Sequence, residues 1–272
     1  MLLEIWTEVL PPGWEWTPDS FVGGTHEFVV ETAKCAPFDD VIVYYDGTPG
    51  VYDGIHYVGR DSFSGSDVVL ACNSTPPKLG RYSVYWTSWD KARAQQYGMF
   101  DERIVLSPYH QSLFGTNSRI VPLSCWPRKF PSHRKIDGMC LYSSSPDRGS
   151  AFLESIWPRV ERETGAKLYR TYDKSISEPE MELMDRQSQF WLHPGQGIEL
   201  FCISAVKAQV AGCIPVVVPN MALDTTVKYG VRTTLEKYAD DLIAALKNPP
   251  LVESVDFGDW YTVTKELFKN VK

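Results

Sequence analysis

The chain has 272 residues, a formal net charge of −7, and 43% hydrophobic against 22% charged residues. This is ordinary globular composition, enough for one substantial core or two small ones, and the acidic balance argues against a general nucleic-acid binder, which carries a basic surface. No apolar stretch approaches the roughly 20 residues that cross a bilayer as a helix, and the opening MLLEIWTEVLPPGW lacks the basic start of a secretory signal.

Taken in order, residues 2–7 read as a strand, followed by a loop at 11–22 that carries Trp14 and Trp16. Gly23-Gly24-Thr25-His26-Glu27 opens a helix running to about residue 36. Two glycines before a helix let backbone approach a ligand closely, although such pairs also occur in ordinary loops. The apolar runs at 40–45, 67–72, 82–86 and 103–106 are bounded by turn residues and read as buried parallel strands. Ser107-Pro108-Tyr109-His110 starts a short helix, and 119–123 is the next strand. Residues 126–135 (WPRKFPSHRK) form a proline-containing basic linker, which places a domain boundary near 132. The six cysteines, Cys35, Cys72, Cys125, Cys140, Cys202 and Cys213, contain no Cys-x-x-Cys pair. They indicate neither a zinc site nor a disulfide framework, and read as small buried hydrophobes in a reducing, cytoplasmic setting.

The second half opens with a strand at 138–142 and the turn Ser143-Ser144-Ser145-Pro146-Asp147-Arg148-Gly149. A helix follows from about 150 to 164, with Phe152, Ile156 and Val160 on one face. An Arg at a helix entrance can clamp a diphosphate through planar, charge-assisted contacts, although an isolated Arg is more often a solvated surface group. A strand at 167–172 and a helix at 178–186 lead to the stretch HPGQGIELFCISAVKAQVAGCIPVVVPNM at 193–221. A strand at 190–192 enters a Gly-rich turn, Glu199 opens a helix, Gly212 stops it, and 214–218 is a buried strand. Such a turn gathers free backbone N–H groups and a positive helix end, which suits a phosphate. Helices at 236–247 and about 260–270 complete the chain, and Met181, Leu183 and Met184 read as packing.

Glu199, Phe201-Cys202-Ile203-Ser204-Ala205, Ala208-Gln209, Gly212 and Pro215-Val216-Val217 resemble the donor-site signature of family 4 retaining glycosyltransferases. Tyr142-Ser143-Ser144-Ser145-Pro146-Asp147-Arg148-Gly149 and Ala222-Leu223-Asp224-Thr225-Thr226-Val227 extend the resemblance over about 138–230. It implies an α/β protein of the GT-B fold, two Rossmann-like domains with parallel sheets facing across a cleft. Residues 1–132 would be the acceptor side, and 133–272 the nucleotide-sugar side, with the last helix packing back toward the first domain. It further implies a metal-independent hexosyltransferase with no cofactor. The donor would be a nucleotide-diphosphate hexose (UDP- or GDP-linked) and the acceptor a hydroxyl of a glycan, lipid or protein-linked group, with no nucleic-acid partner and no integral membrane segment.

Carried over residue by residue, the resemblance assigns the donor diphosphate to Arg148, Gly23, Gly24 and the N–H groups near Phe201, Cys202 and Ile203. It assigns the sugar hydroxyls to Glu199. The family's second motif Glu, which binds the nucleotide ribose, falls on Lys207. Lysine has donors only. Different donor geometry, another role for Lys207, and weak or lost donor binding are the open alternatives. Where relatives carry a sugar-contacting His after the strand matching 82–86, this chain reads Trp86-Thr87-Ser88-Trp89-Asp90, which makes Asp90 the candidate substitute. Asp39-Asp40 and Asp240-Asp241 read as solvated carboxylates rather than a metal site. His110 and His193 fall near the expected cleft, where a lone His is more often structural. The competing readings are a catalytically weak sugar-nucleotide- or glycan-binding protein on a transferase fold, and another GT-B enzyme such as an epimerase or phosphorylase acting on sugar phosphates.

Overall fold

The computed structural model describes residues 1–7, 16–18, 23–88, 99–115, 117–126, 134–172 and 176–272. Asp90, Trp14 and linker residues 127–133 lie outside the described residues. The chain divides into two compact units, Met1–Ser124 with Gly258–Lys272, and Cys125–Phe257.

In the first unit, β1 (Leu2–Trp6), β2 (Asp40–Tyr44), β3 (Gly50–Tyr52), β4 (Ile55–Val58), β5 (Val68–Cys72), β6 (Tyr82–Trp86), β7 (Glu102–Val105) and β8 (Arg119–Ile120) form one sheet, ordered β3-β4-β2-β1-β5-β6-β7-β8. Every pairing is parallel except β3 with β4. Every residue of β5 (VVLAC) is buried, as a central strand covered on both faces requires. Helices α1 (Gly24–Cys35) and α8 (Trp260–Leu267) cover one face. Phe28 of α1 stacks on Trp86 at 4.0 Å, and Thr264 Oγ1 of α8 donates to the Cys35 carbonyl. The opposite face gathers Trp6, Tyr44, Phe63 and Val69. The short helix α2 (Pro108–Phe114) is capped by Ser107, whose hydroxyl accepts from the His110 N–H. His110 is fully buried, and its Nδ1 accepts from the Leu106 N–H at 3.2 Å, which is a structural role.

The β3–β4 hairpin is absent from the strands expected from the sequence. Asp53 and Gly54, with φ of 50° and 79°, form its turn. An Asp-Gly pair with both φ values positive is the favoured chemistry for a two-residue hairpin, because its twist matches the flanking strands.

Glu4 is fully buried on β1. Its Oε1 accepts from the Tyr44 hydroxyl (2.8 Å) and from the N–H (3.2 Å) and hydroxyl (2.8 Å) of Ser64, and its Oε2 accepts from the N–H (2.5 Å) and hydroxyl (3.0 Å) of Ser66. Burial alone would raise this carboxyl's pKa, but the hydrogen bonds from Ser66, Tyr44 and Ser64 outweigh burial and hold it below the ordinary value. Glu4 thus fixes the turn that leads into β5.

The second unit holds β9 (Ile136–Tyr142), α3 (Ser150–Thr164), β10 (Lys167–Arg170), α4 (Glu178–Gln187), β11 (Ser188–His193), α5 (Ile203–Val210), β12 (Ile214–Val217), α6 (Leu223–Thr226), β13 (Val231–Arg232) and α7 (Tyr238–Lys247). Its sheet runs β10-β9-β11-β12-β13, all parallel. The two-residue alternation of each strand splits its side chains between two cores. Cys140, Tyr142, Phe190, Leu192, Ile214 and Val216 face α3 and α7, meeting Leu153, Trp157, Val160, Tyr238 and Leu242. Leu141, Trp191 and Val217 face α5, with Met181 and Met184 of α4 packed against that core. The buried stripe of α3 is Leu153, Trp157 and Val160, and the expected Phe152 and Ile156 only flank it. The chain leaves β9 for β10 on one side and returns for β11 on the other. This makes the carboxyl ends of β9 and β11 a topological switch point, the place where open α/β sheets bind ligands.

Candidate functional site

Loops after β9, β11 and β12 converge at this switch point. After β9, a 3-10 turn (Pro146–Arg148) leads through Gly149 into α3. Gly149 has φ 123°, and a Cβ there would lie 2.8 Å from the Pro194 ring, so only glycine lets this loop meet the next. After β11, His193-Pro194-Gly195-Gln196-Gly197-Ile198-Glu199 turns across the strand ends. Gly195 has φ 70°, and a Cβ there would stand 2.7 Å from the Val218 carbonyl.

The loop after β12 holds this turn. Asn220 Nδ2 donates to the Gly195 carbonyl, the Ala222 N–H donates to the Glu199 carbonyl at 3.1 Å, and Met221 Sδ accepts from the Glu199 N–H at 3.3 Å. Met221 takes a φ of 48°, rare for a residue with a side chain. The sequence places Glu199 at the start of a helix. The structure corrects this: α5 begins at Ile203 with Cys202 at its N-cap, and Glu199 is pinned upstream by tertiary contacts. The Pro-Gly-x-Gly turn crosses the strand ends before any helix can begin.

Glu199 is 6% exposed. Arg148 Nη1 donates to its Oε2, and His193 Nε2 lies 3.6 Å from the same oxygen. The Arg148 side chain keeps 25% of its surface open, with its Cδ near Gly197, where an added Cβ would come within 3.3 Å. His193 is fully buried. Its Nδ1 accepts from the Gly195 N–H at 3.0 Å, so the proton of the neutral ring sits on Nε2. Both Arg148 Nε and His193 Nε2 are buried without a hydrogen-bond partner among the described residues. Two orphaned donors beside one carboxylate are unmet hydrogen-bonding capacity in this cluster.

His193, Glu199 and Cys202 bring their ligand atoms within 4.8 Å of one another. Their chemistry does not fit a resident cation. His193 presents a protonated Nε2. Glu199 is already paired with Arg148. Burial, with the Glu199 charge adding to it, pushes the Cys202 thiol well above its ordinary pKa, away from the thiolate a metal needs. The same shift makes Cys202 a poor nucleophile.

The amides of Ile203 and Ser204 open α5 and have no intrahelical acceptor. Ser204 Oγ donates to the Ser143 carbonyl at 3.4 Å and Trp191 Nε1 to Ser143 Oγ at 3.0 Å, which ties α5 and β11 to the serine turn after β9. Phe201 is half-buried ahead of the helix, and Lys207 is half-buried on the α5 side that carries Ile203 and Val210. Arg148, Glu199, Cys202 and Ile203 thus belong to one loop cluster. The sequence reading left His193 as a structural residue and missed Asn220 and Met221. The signal available was the adjacency of His193 to a Pro-Gly turn at a strand end.

Gly23 and Gly24 belong to the other unit. Gly23 has φ 82° at the N-cap of α1, its carbonyl accepts from the Glu27 N–H, and a Cβ on it would meet nothing within 4 Å. Nearby, Thr25 Oγ1 and Ser88 Oγ lie 2.9 Å apart. Asn73, with φ 55°, exchanges hydrogen bonds with Ser88 through Nδ2 and Oδ1. Asp90 falls outside the described residues.

No family model and no curated protein matches the sequence. Solved structures do match. AviGT4, a glycosyltransferase involved in avilamycin A biosynthesis, aligns over 100% of this chain and 97% of its own, with TM-score 0.69 and 14% identity. Sucrose-phosphate synthase from Thermosynechococcus elongatus aligns over 100% and 95%, with TM-score 0.68 and 10% identity. HepE from Anabaena, in complex with UDP-glucose, aligns over 98% of each chain, with TM-score 0.61 and 12% identity. The chain has the GT-B fold. At these identities the likeness is one of architecture, and a GT-B fold hosts more than one chemistry. Among the described residues no helix is long and apolar enough to cross a membrane.

Proposed function

We propose that the chain is a glycosyltransferase that moves a hexose from a nucleotide-diphosphate sugar to an acceptor hydroxyl. The carrying observation is the loop cluster at the β9/β11 switch point. There a part-open guanidinium, a helix N-terminus and a buried carboxylate with orphaned donors beside it occupy one spot. HepE, of the same architecture, is described with UDP-glucose. The motif resemblance to family 4 enzymes supports the same donor class and a retaining outcome.

On this reading the diphosphate lies against Arg148 and the amides of Ile203 and Ser204. Charge develops on it as the anomeric C–O bond breaks, and fixed donors that need no reorganisation stabilise that charge. Glu199 accepts from sugar hydroxyls and sets the ring's orientation. The acceptor oxygen bonds to the anomeric carbon, and its proton passes to the departing diphosphate. Arg148 and the α5 N-terminus supply the electrostatic stabilisation, and no metal is invoked. Gly23, Gly24 and Asp90 belong to the acceptor-side unit on this reading, and Lys207 takes a role other than accepting from ribose.

A second reading, a binding protein of reduced catalytic power, is favoured by Lys207 standing where the family motif has its second Glu. Turnover separates the two. The transferase releases nucleoside diphosphate from one nucleotide sugar when given an acceptor, with the anomeric configuration retained in the product by proton NMR. Tight donor binding without release supports the second reading.

A further inference from the structure

Arg148 and His193 address one oxygen of Glu199, and they are not equivalent. The Arg148 head is part-open and long enough to swing. His193 is fully buried, and the Gly195 N–H fixes its ring. Its Nε2–H stops 3.6 Å short of Glu199 Oε2, beyond hydrogen-bonding distance, and has no other partner among the described residues. Arg148 Nε is likewise buried and unpartnered, so the guanidinium is not in its most satisfied position.

From this geometry we infer that the Arg148–Glu199 pair is a latch opened by a diphosphate, and that His193 is the positioning residue that holds Glu199 once Arg148 has left it. The inference rests on the reading of this loop cluster as a diphosphate site. A buried carboxylate stripped of its paired cation is strongly destabilised, so a ligand that recruits Arg148 needs something to take over Glu199. His193 Nε2 lies 3.6 Å from the vacated oxygen and needs to close only a few tenths of an ångström to donate to it. With Oε2 so held, Oε1 remains to accept from a sugar hydroxyl, beside the Cys202 thiol that also hydrogen-bonds the carboxylate. Capture of the diphosphate and readiness of the sugar contact then become one event. The latch also lowers affinity for a bare anion, because binding must first free the competent arginine.

Inorganic pyrophosphate tests this without assuming a base or a sugar. Its affinity is measured by calorimetry for wild type, Glu199→Gln, Arg148→Ala and the double variant, with folding checked by thermal melting. The latch predicts that Glu199→Gln binds about tenfold tighter than wild type, since its arginine is released, and that the gain disappears in the Arg148→Ala background. A gain that persists without Arg148 is a plain field effect of the lost charge and overturns the latch. Equal or weaker binding by Glu199→Gln, or no pyrophosphate binding by any variant, also overturns it. His193→Phe, which deletes the Nε2–H, binds more weakly than wild type, and His193→Gln, which restores a donor, recovers the affinity. Equal binding by His193→Phe and wild type overturns the role given to His193. A nucleotide-sugar panel on the same proteins separates the two ideas. Binding there with no Glu199→Gln effect sinks the latch alone, whereas a blank panel with an intact pyrophosphate cycle sinks the donor reading alone.

Discussion

Arg148 and Glu199, 51 residues apart in sequence, are joined by an ion pair across the carboxyl ends of two neighbouring parallel strands. The pair spans the point at which the sheet's strand order reverses, so one residue comes from each loop that would flank a ligand. Replacing Arg148 with alanine leaves a mostly buried carboxylate without its cation. The expected result is a loss of stability of about 3–5 kcal/mol in the second unit, reduced where His193 compensates. Thermal denaturation of Arg148→Ala against Arg148→Ala/Glu199→Gln checks it, because removing the stranded charge restores part of the loss.

Gly195 should tolerate no side chain. A Cβ there meets the Val218 carbonyl at 2.7 Å while φ stays at 70°, and Asn220 clamps the residue's own carbonyl. Gly195→Ala is expected to destabilise by roughly 1–3 kcal/mol and to lower nucleotide affinity by displacing His193 and Glu199 together. Denaturant unfolding alongside calorimetry measures both, and unchanged affinity in Gly195→Ala would separate this turn from the binding site.

Much of this architecture is legible in the sequence because its strands are short, fully apolar and bounded by turn residues, as β5 and β12 show. The Asp53-Gly54 hairpin was equally legible in its turn chemistry, yet residues 50–58 mix polar and aromatic side chains and lack the apolar run that marks the buried strands. At the candidate site, the motif indicated Arg148 and Glu199 but misjudged the local backbone. Glu199 is held by Ala222 and Met221 from another loop, and no local periodicity records a tertiary contact. The part given to His193 depends on a tautomer set by the Gly195 N–H, which only the folded turn reveals.

Glu4 gives the first unit an acid-sensitive link. Its folded pKa lies below the ordinary 4.5, so the stability it contributes is present above that value and is lost as pH falls through the depressed folded pKa. Glu4→Gln keeps the shape but weakens the charge-assisted bonds from Ser64, Ser66 and Tyr44. It is expected to lose about 2–3 kcal/mol at neutral pH, with the difference from wild type shrinking below about pH 4. Urea unfolding across pH tests this. A difference that stays constant down to acid pH would show that the Glu4 charge contributes nothing.

Two thiols of the second unit, those of Cys140 and Cys202, should be inert. Cys140 and Cys202 are buried, and burial raises both pKa values, with the Glu199 charge adding to the shift at Cys202. Iodoacetamide at mildly alkaline pH, followed by peptide mass spectrometry, should leave both unlabelled in the native protein and label both in denaturant. Rapid native labelling of Cys202 would contradict the closed packing described at the start of α5.

The most direct test of the donor-site account is calorimetric binding of UDP, GDP, ADP and TDP, and of their common sugar adducts, to wild type and Arg148→Ala. The account predicts that one nucleotide and its sugar adduct bind wild type, and that Arg148→Ala weakens both by roughly 10- to 100-fold, the worth of a charge-assisted diphosphate contact. Failure of every nucleotide to bind folded wild type, or equal binding by Arg148→Ala, would contradict it.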